Sequence, residues 1–480
     1  MIKRRTTVEF ILILLSFFSS IYIYDNVSKP GFEMMWILPL TFMLCTHMLI
    51  NKCYTIKNTL FFVAFTIIAF LRYVAGPALL VITDDYFGQI LRSRPSIDAL
   101  QTAAWLMSYE LVVCTLVFVF FPFKPIDKFN REVPGQKTND YILPKRTGIY
   151  ILLTLSAIVL AILFPRSLQF FSFATFGMNM IDLSSLNVLE QGTIMLLICA
   201  RFFLFIVIIS YLKKQSDKFD GRNRTIDFLG IVITLVFGVI YYGGNRAQFI
   251  FIFACTVYVY LKLFPKNKSA IYTISAVMLM FVLTFMTDER GYYDYYSKYS
   301  GVEKFLFNAS ETIASYFGGI TNVAVSIDMK AEFAHKIGVT QFLKDLTVPI
   351  VGINNLINFP DRVMTNELFN YQFFASTKNV TQILPSIGHG YFFFGFAGAP
   401  IIDIVQLLIV RKLYFIQEKT NRIELVYLFN VVILRFAIIF GQNISQQING
   451  LSMQLMLPIV IFYLNEKISL RSKANNDKKY

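Results

Sequence analysis

Charged side chains inside long apolar segments are the residues of this sequence best suited to chemistry. Arg72, Glu110 and Arg201 each lie in the middle of an apolar run, and Arg435 lies in another. A charge at the bilayer centre costs at least about 2.5 kcal/mol unless it is paired or hydrated. Arg72 and Glu110 could form a buried ion pair that locks two helices together. Three arginines with one carboxylate leave an excess of positive charge, which favours a bound anion or a water-filled cavity.

A tight turn between two apolar runs supplies a second group of candidates. Residues 241–246 read Tyr-Tyr-Gly-Gly-Asn-Arg, and the last three are Gly244, Asn245 and Arg246. Glycine lets a backbone approach a ligand closely, and the first amides of a helix that follows a turn are free to bind an anion. Arg246 beside those amides predicts an anion site. The alternative is an ordinary hairpin turn whose arginine extends to the membrane interface.

Arg290 lies just beyond a later apolar run, at the same predicted boundary as Arg246. By depth alone, the arginines could converge on one cationic pocket that opens to the outer leaflet. One guanidinium group can bind two phosphate oxygens at once, so a lipid diphosphate is the expected occupant. The predicted diphosphate-binding set is Arg72, Arg201, Gly244, Asn245, Arg246 and Arg435. Arg290 is predicted to be catalytic, together with Arg246.

A catalytic pocket also needs a general base, and His389 and Glu289 are the preferred candidates. His389 lies where the chain enters an apolar run, in the sequence from Leu384 to Tyr391. An imidazole titrates near neutral pH, so it suits proton transfer at the mouth of a pocket. The alternative is that His389 caps the helix or lies on the surface.

These candidates need a frame of membrane helices, and the composition predicts one. Of 480 residues, 56% are hydrophobic and 15% are charged, against about 25% charged in an ordinary soluble domain. Apolar runs about as long as a bilayer is thick predict an all-α polytopic membrane protein with about twelve transmembrane helices. The runs are 7–24, 33–50, 58–82, 98–122, 147–164, 188–212, 227–243, 247–264, 270–287, 388–410, 423–441 and 453–465.

The basic residues predict the orientation of these helices. Most of the 44 Lys and Arg residues fall on alternate connections, which places those connections and both termini in the cytoplasm. The formal charge of +14 is explained in this way, and no nucleic-acid partner is expected. The connection of about a hundred residues at 288–387, between the ninth and tenth helices, is then extracytoplasmic. Its apolar spacing predicts short surface helices, which form a cap on a single domain of residues 1–480.

Redox, zinc and nucleotide chemistry find no support in the sequence. Four of the five cysteines lie in apolar runs, no Cys-x-x-Cys pair occurs, and the three histidines are far apart. The phosphate-binding loop, the dinucleotide fingerprint and the Gly-x-Ser-x-Gly elbow are also missing. We therefore expect neither a cofactor nor a metal.

The tight turn, the long outer connection and the sequence after it together resemble the O-antigen and capsule repeat-unit polymerases of the Wzy type. Gly244, Asn245 and Arg246 match the turn of that family, and Pro385 to Gly398 resembles its re-entry into the membrane. The family often has Gly-Glu-x-Tyr at the re-entry, where this chain has Gly-His-Gly-Tyr, so the imidazole of His389 stands in place of a carboxylate.

The resemblance implies a glycosyltransferase of a bacterial inner or plasma membrane. Its substrates would be oligosaccharide repeat units carried on undecaprenyl diphosphate, and it would join them at the outer face into O-antigen or capsule. A flippase and a chain-length regulator are the partner proteins that this implies. In the expected metal-independent reaction, Arg246, Arg290 and the arginines in the membrane stabilise the leaving diphosphate. His389 or Glu289 deprotonates the acceptor hydroxyl.

Two other functions fit the same sequence. A flippase or other transporter of lipid-linked oligosaccharides would also need many spans and intramembrane charges, although the repeat that transporters usually show is not visible. An O-antigen ligase shares the chemistry of the polymerase and differs mainly in its acceptor. The sequence alone separates these alternatives poorly.

Overall fold

The computed structural model of this chain describes most of its residues. The described ranges are 2–55, 60–86, 94–123, 141–144, 147–171, 186–219, 223–240, 242, 246–265, 271–275, 277–278, 301–350, 353, 357, 359, 361–364, 365–374 and 382–477. Within these ranges the protein is helical and contains no strand, so the predicted all-α class is confirmed.

We number sixteen α-helices of the described residues in chain order. The first eight are α1 (Ile2–Asn26), α2 (Ile37–Thr55), α3 (Leu60–Thr83), α4 (Ile97–Phe120), α5 (Gly148–Leu163), α6 (Val188–Lys218), α7 (Arg224–Val239) and α8 (Arg246–Leu263). The others are α9 (Gly301–Phe317), α10 (Ile320–Glu332), α11 (Val339–Thr347), α12 (Thr365–Phe374), α13 (Ser386–Gly398), α14 (Ile401–Glu418), α15 (Ile423–Arg435) and α16 (Ile444–Asp477).

Six helices of the described part are long and apolar enough to cross a membrane. They are α1, α3, α4, α6, α15 with the 3-10 turn that follows it, and the first part of α16. A seventh span results if α13 and α14, which meet at 107°, count as one broken helix. Such helices indicate a membrane protein. The predicted number of twelve spans and the predicted loop topology are not confirmed.

Helix length explains part of the difference in span number. The predicted runs 147–164 and 227–243 form helices of 16 residues each. At 1.5 Å per residue these are about 24 Å long, short of a bilayer core of about 30 Å. The predicted run 270–287 lies largely outside the described residues. Hydropathy finds the apolar residues but does not show where a helix stops.

The chain forms two compact units. The first consists of Met1–Phe129, Asp294–Phe415 and Ile433–Gly450. The second consists of Asn130–Tyr293, Ile416–Val432 and Leu451–Tyr480. In the second unit α6 packs against both α5 and α7, and α7 packs against α8. A capping box, in which Asn187 and Glu190 exchange side-chain and backbone hydrogen bonds, begins α6.

The long connection of residues 288–387 contributes helices to the core of the first unit. Its helix α10 packs against both α4 and α13, and eight of its residues are buried. Asp328 on α10 accepts hydrogen bonds from the backbone and the hydroxyl of Ser96, the N-cap of α4, both at 2.8 Å. Helices are therefore present in this connection, but α10 is packed within the unit and does not lie on its surface as predicted. Its Asp328 fixes the start of a long apolar helix.

Two apolar helices of the first unit are interrupted. The middle of α3 widens into a π-helical turn at Leu71–Ala75, which contains Arg72. Such turns often occur at functional sites. The end of α13 contains Gly395 at a φ of 69°, a left-handed conformation that favours glycine. This position precedes the 107° bend into α14.

The bend brings the carbonyl of Ala399 directly against Gly390. A Cβ atom at Gly390 would overlap the carbonyl oxygen and carbon of Ala399, which are backbone atoms and cannot rotate away. We predict that Gly390→Ala destabilises the protein by about 1–3 kcal/mol or more, because overpacking forces the backbone apart. The measurement is the midpoint of thermal unfolding of the purified protein in detergent.

Gly148→Ala is the matched control for this substitution. Gly148 is also helical, and no atom lies within 4 Å of the position that its Cβ would take. Its midpoint should stay the same or rise slightly. Equal midpoints for both variants would contradict the close packing at the bend.

Candidate functional site

The centre of the candidate site is a buried contact between His389 and Asp345. The Nε2 atom of His389 lies 2.8 Å from Oδ2 of Asp345, and both side chains have no exposed surface. His389 lies in the first turn of α13, which begins after Pro385, and Asp345 lies near the end of α11. A histidine held by a carboxylate in this way has a fixed ring orientation.

The second oxygen of Asp345 binds a third helix. Oδ1 accepts the backbone N–H of Thr365, the first residue of α12, at 2.9 Å. The first amides of a helix have no partner within it, so a carboxylate at this end both satisfies a donor and faces the positive end of the helix dipole. Asp345 therefore joins α11, α12 and α13 with one side chain.

The hydrogen bond between His389 and Asp345 determines which ring nitrogen of the imidazole carries the proton. Since Asp345 accepts from Nε2, the neutral ring carries its proton there and presents the lone pair of Nδ1. Nδ1 is buried and has no hydrogen-bond partner in the described part of the chain. This arrangement is that of a general base whose ring is held in orientation by the carboxylate behind it. Because the pair is fully buried, proton transfer to a substrate requires a movement that exposes Nδ1.

Buried amide side chains fix the segment that leads into α13. Asn366 Oδ1 accepts from the backbone of Leu384 at 3.1 Å and from Asn443 Nδ2 at 3.0 Å. Asn370 bonds both the N–H and the C=O of Gln382, at 3.0 and 2.9 Å. These bonds satisfy the backbone of the segment before Pro385 and so set the position of His389.

Charged residues lie near the pair, on α11 and α12 and in the segments that precede these two helices. Lys344 and Lys336 both bind Asp361. The hydrogen bond from Lys344, supported by Lys336, holds the pKa of Asp361 below its usual range. Burial raises the pKa of Glu367 in the first turn of α12, and the charges of Asp345 and Asp361 add to this. The region therefore contains acidic groups whose proton affinities differ, close to a histidine.

Arg72 and Glu110 form an ion pair, which is one of the two alternatives that the sequence left open. Arg72 Nη1 lies 2.8 Å from Glu110 Oε2, and neither side chain is exposed. Arg72 Nε also donates to the carbonyl of Gly318 at 3.0 Å. Tyr73 donates its hydroxyl to Glu110 at 2.9 Å. The π-helical turn of α3 thus directs Arg72 and Tyr73 onto the same carboxylate.

A second buried carboxyl group lies near this ion pair. Asp403, in the first turn of α14, is fully buried and interacts electrostatically with Glu110, Ser386 and Arg72. Among the described residues, Arg72 therefore lies close to two carboxyl groups, those of Glu110 and Asp403. Ser386, which also receives a hydrogen bond from Gln406 at 3.3 Å, lies one turn before His389 and links this cluster to the histidine.

Arg201 and Arg435, predicted to bind diphosphate, also have protein partners. Arg201 Nη1 donates to the carbonyls of Phe237 and Ile240 at 2.8 and 3.0 Å, and Nη2 donates to the Tyr427 hydroxyl at 3.2 Å. Those two carbonyls lie at the end of α7, so Arg201 caps the helix that precedes residues 241–246. Arg435 donates to the carbonyl of Gln446 at 3.0 Å and packs against Gly450.

Several predicted site residues lie outside the described residues. These are Gly244, Asn245, Glu289 and Arg290. Arg246 is the first residue of α8, but its side chain also lies outside the described part. Their predicted roles therefore remain predictions. Of the proposed catalytic residues, His389 alone has a described side-chain environment.

The sequence missed Asp345 and Asp403. Asp345 lies in the connection of residues 288–387, which was predicted to form a cap. It is 44 positions away from His389 in the chain. The sequence Gln341 to Thr347 alternates polar and apolar residues at helical spacing, which could have indicated that one face is buried. Asp403 lies inside the predicted apolar run 388–410. A single acidic residue in such a run indicates a buried functional or paired group, as it did for Glu110.

The chain matches no protein-family model, no curated protein and no solved structure.

We predict that Glu110→Gln destabilises the protein by about 3–5 kcal/mol, because it leaves the charge of Arg72 buried without a carboxylate. The double variant Arg72→Met, Glu110→Leu should recover much of this loss, since it removes both charges. Unfolding of the purified protein in denaturant measures the three free energies.

Asp217→Asn provides the control for loss of an ion pair. Asp217 pairs with Lys213 on α6, and its side chain is 56% exposed. Exposed pairs contribute about 0–1 kcal/mol, so this variant should remain close to the unmodified protein. If Glu110→Gln were as mild as Asp217→Asn, the ion pair would not hold the first unit together.

Proposed function

We propose that this chain is a bacterial membrane glycosyltransferase that joins oligosaccharide repeat units carried on polyprenyl diphosphate, undecaprenyl diphosphate in particular. The product is a surface polysaccharide, either O-antigen or capsule, and the reaction takes place at the outer face of the inner or plasma membrane. The observation that carries the proposal is the buried His389–Asp345 pair, at the 2.8 Å separation of a hydrogen bond, at the start of an apolar helix. The sequence resemblance to Wzy-type polymerases supports it.

In the proposed reaction, the acceptor hydroxyl attacks the anomeric carbon of the donor sugar. A new carbon–oxygen bond forms, and the bond from that carbon to the diphosphate breaks, with its electron pair leaving on the diphosphate. The hydroxyl proton passes to Nδ1 of His389, while Asp345 stabilises the imidazolium that results. The proton is then released to water, and the reaction needs no oxidant or reductant.

The leaving diphosphate is assigned to Arg246 and Arg290, which the sequence places at the same boundary. Charge that develops on a leaving group is best stabilised by donors already in place, and one such contact is typically worth about 100- to 1000-fold in rate. Arg201 supports this assignment indirectly, because it donates hydrogen bonds to the carbonyls at the end of α7, the helix that precedes Arg246 in the chain. Arg72 and Arg435 act in this account as framework cations.

A flippase or transporter of lipid-linked oligosaccharides is the second candidate. It is favoured by the broken helix pair α13–α14, bent by 107°, and by the buried carboxyl groups near it. Transporters form their binding sites from interrupted helices of this kind. The polymerase remains our first proposal because the sequence resembles the Wzy-type polymerases, whereas a buried His–carboxylate pair also occurs in proton-coupled transporters.

A size profile of the polysaccharide separates the candidates. We predict that a strain lacking this protein accumulates single repeat units on the outer leaflet, whereas the strain with the intact gene makes long chains. Single units confined to the cytoplasmic leaflet would indicate a flippase. Long chains that stay on their lipid carrier would indicate a ligase. An unchanged profile would contradict all three functions.

We further predict that His389→Gln supports no chain growth, because glutamine can accept a hydrogen bond but cannot take up a proton near neutral pH. The loss of rate should be at least about 100-fold. Chain length is measured in the deletion strain that carries the variant gene, with the amount of protein in the membrane checked by blotting.

His335→Gln is the matched control. His335 lies in the same connection of residues 288–387 as Asp345, but it is exposed. Its variant should restore normal chains. Normal chains from a stably inserted His389→Gln protein would show that the imidazole is not the base.

A further inference from the structure

A cleft of about 460 Å³ lies beside the first turns of α4, in the first unit. Its volume falls in the range of small-molecule sites, roughly 300–1,000 Å³. The residues that line it are Met34, Asp98, Gln101, Thr102, Trp105 and Phe396. Nothing in the proposed reaction uses these residues, so the cleft needs its own explanation.

One face of α4 supplies most of the lining. Asp98, Gln101, Thr102 and Trp105 follow one another at spacings of three, one and three residues, which places them on the same side of a helix. Asp98, Gln101 and Thr102 therefore place polar groups near the start of the helix, and the indole of Trp105 follows about one turn after Thr102. The helix itself is held in place by Asp328, which binds Ser96 at its start.

Two exposed aromatic rings form the apolar walls. The side chains of Trp105 and Phe396 are 51% and 43% exposed. Phe396 is held in position, because its ring stacks on Tyr109 at 5.8 Å with an angle of 6°. The Tyr109 hydroxyl also donates to the carbonyl of Ala397 at 3.1 Å. An aromatic surface fixed in this way is ready to receive a flat apolar face.

The polar wall can bind hydroxyl groups. Asp98 is exposed and can accept several hydrogen bonds. Gln101 is oriented by Glu33, to which its Nε2 atom donates at 3.3 Å. Glu33 is fixed in turn by the backbone N–H of Gly31 at 2.9 Å. The cleft therefore combines carboxylate and amide groups with two aromatic faces.

The charge of the cleft excludes a phosphate ligand. Its lining contains a carboxylate and, among the residues described there, no Lys or Arg. A phosphate would be repelled by Asp98 and would find no cation. A lipid chain would leave the polar groups Asp98, Gln101 and Thr102 facing hydrocarbon, which is unfavourable. A sugar has apolar C–H faces for the rings and hydroxyl groups for the polar wall.

We propose that this cleft binds a short stretch of oligosaccharide, stacked on Trp105 and Phe396 and hydrogen-bonded to Asp98 and Gln101. The assignment of that oligosaccharide to a lipid-linked repeat unit rests on the proposed function, whereas the sugar-binding chemistry does not. The cleft is connected to the candidate base through α13, since Phe396 lies at the opposite end of that helix from His389. The cleft would hold the sugars, and the diphosphate would lie elsewhere.

The two tryptophans of the chain, Trp36 and Trp105, make the test direct. In a Trp36→Phe background, Trp105 is the single tryptophan and reports on the cleft. The probes are oligosaccharides released by mild acid from the surface polysaccharide of the strain that carries the gene, and farnesyl diphosphate, which has no sugar. Both are titrated into the purified full-length protein in detergent, and equilibrium dialysis measures binding independently of fluorescence.

The oligosaccharides should change the Trp105 emission saturably, and farnesyl diphosphate should not displace them. Asp98→Asn and Phe396→Leu should each weaken oligosaccharide binding about tenfold or more, because one removes a charged hydrogen-bond acceptor and the other an aromatic face. Asp217→Asn, which removes an exposed carboxylate in the second unit, should leave binding unchanged.

Absence of saturable oligosaccharide binding by both methods would overturn the proposal. So would displacement by farnesyl diphosphate, which would identify a lipid groove, or binding that survives both cleft substitutions. Failure of the polymerase proposal has a different result: the deletion strain would make normal chains, while the purified protein would still bind the sugar. Single repeat units in the deletion strain, together with a protein that binds no oligosaccharide, would refute the cleft alone.

Discussion

The contact between Asp345 and His389 is the interaction on which the candidate site depends. One carboxylate binds the imidazole and, at 2.9 Å, the first amide of α12, so it holds three helices in one arrangement. A buried carboxylate is costly unless its oxygens are bonded, and here both are. The catalytic proposal and the stability of this region therefore depend on the same two bonds. A substitution of Asp345 would affect both at once.

Polar contacts within apolar helices organise the rest of the first unit. The Arg72–Glu110 pair, at 2.8 Å, joins α3 to α4, and Asp403 and Ser386 continue the polar region to the start of α13. Breaking such a pair is costly, whereas an apolar replacement of both partners is often tolerated. Buried charge therefore lies next to an interrupted helix in this unit. The cleft at α4 lies on the same helix as Glu110.

The sequence predicted those parts of the molecule that depend on local pattern. Apolar runs predicted an all-helical protein, and the depth of Arg72 and Glu110 left their pairing as one alternative. His389 was recognised because it lies beside Pro385 at the start of an apolar run. The sequence could not identify Asp345 as its partner, because Asp345 is 44 residues away and the pairing depends on how α11 folds back. For the same reason, the sequence could not show the partners of Arg201, which include the backbone carbonyls at the end of α7.

The central claim is that the chain catalyses glycosyl transfer between lipid-linked oligosaccharides. The most direct measurement places the purified protein in liposomes with a polyprenyl-diphosphate-linked repeat unit and follows both the glycolipid length and the free polyprenyl diphosphate. Our account predicts that longer glycolipids appear with one polyprenyl diphosphate released for each linkage formed. Movement of the intact substrate across the bilayer, with no new linkage and no released diphosphate, would contradict it.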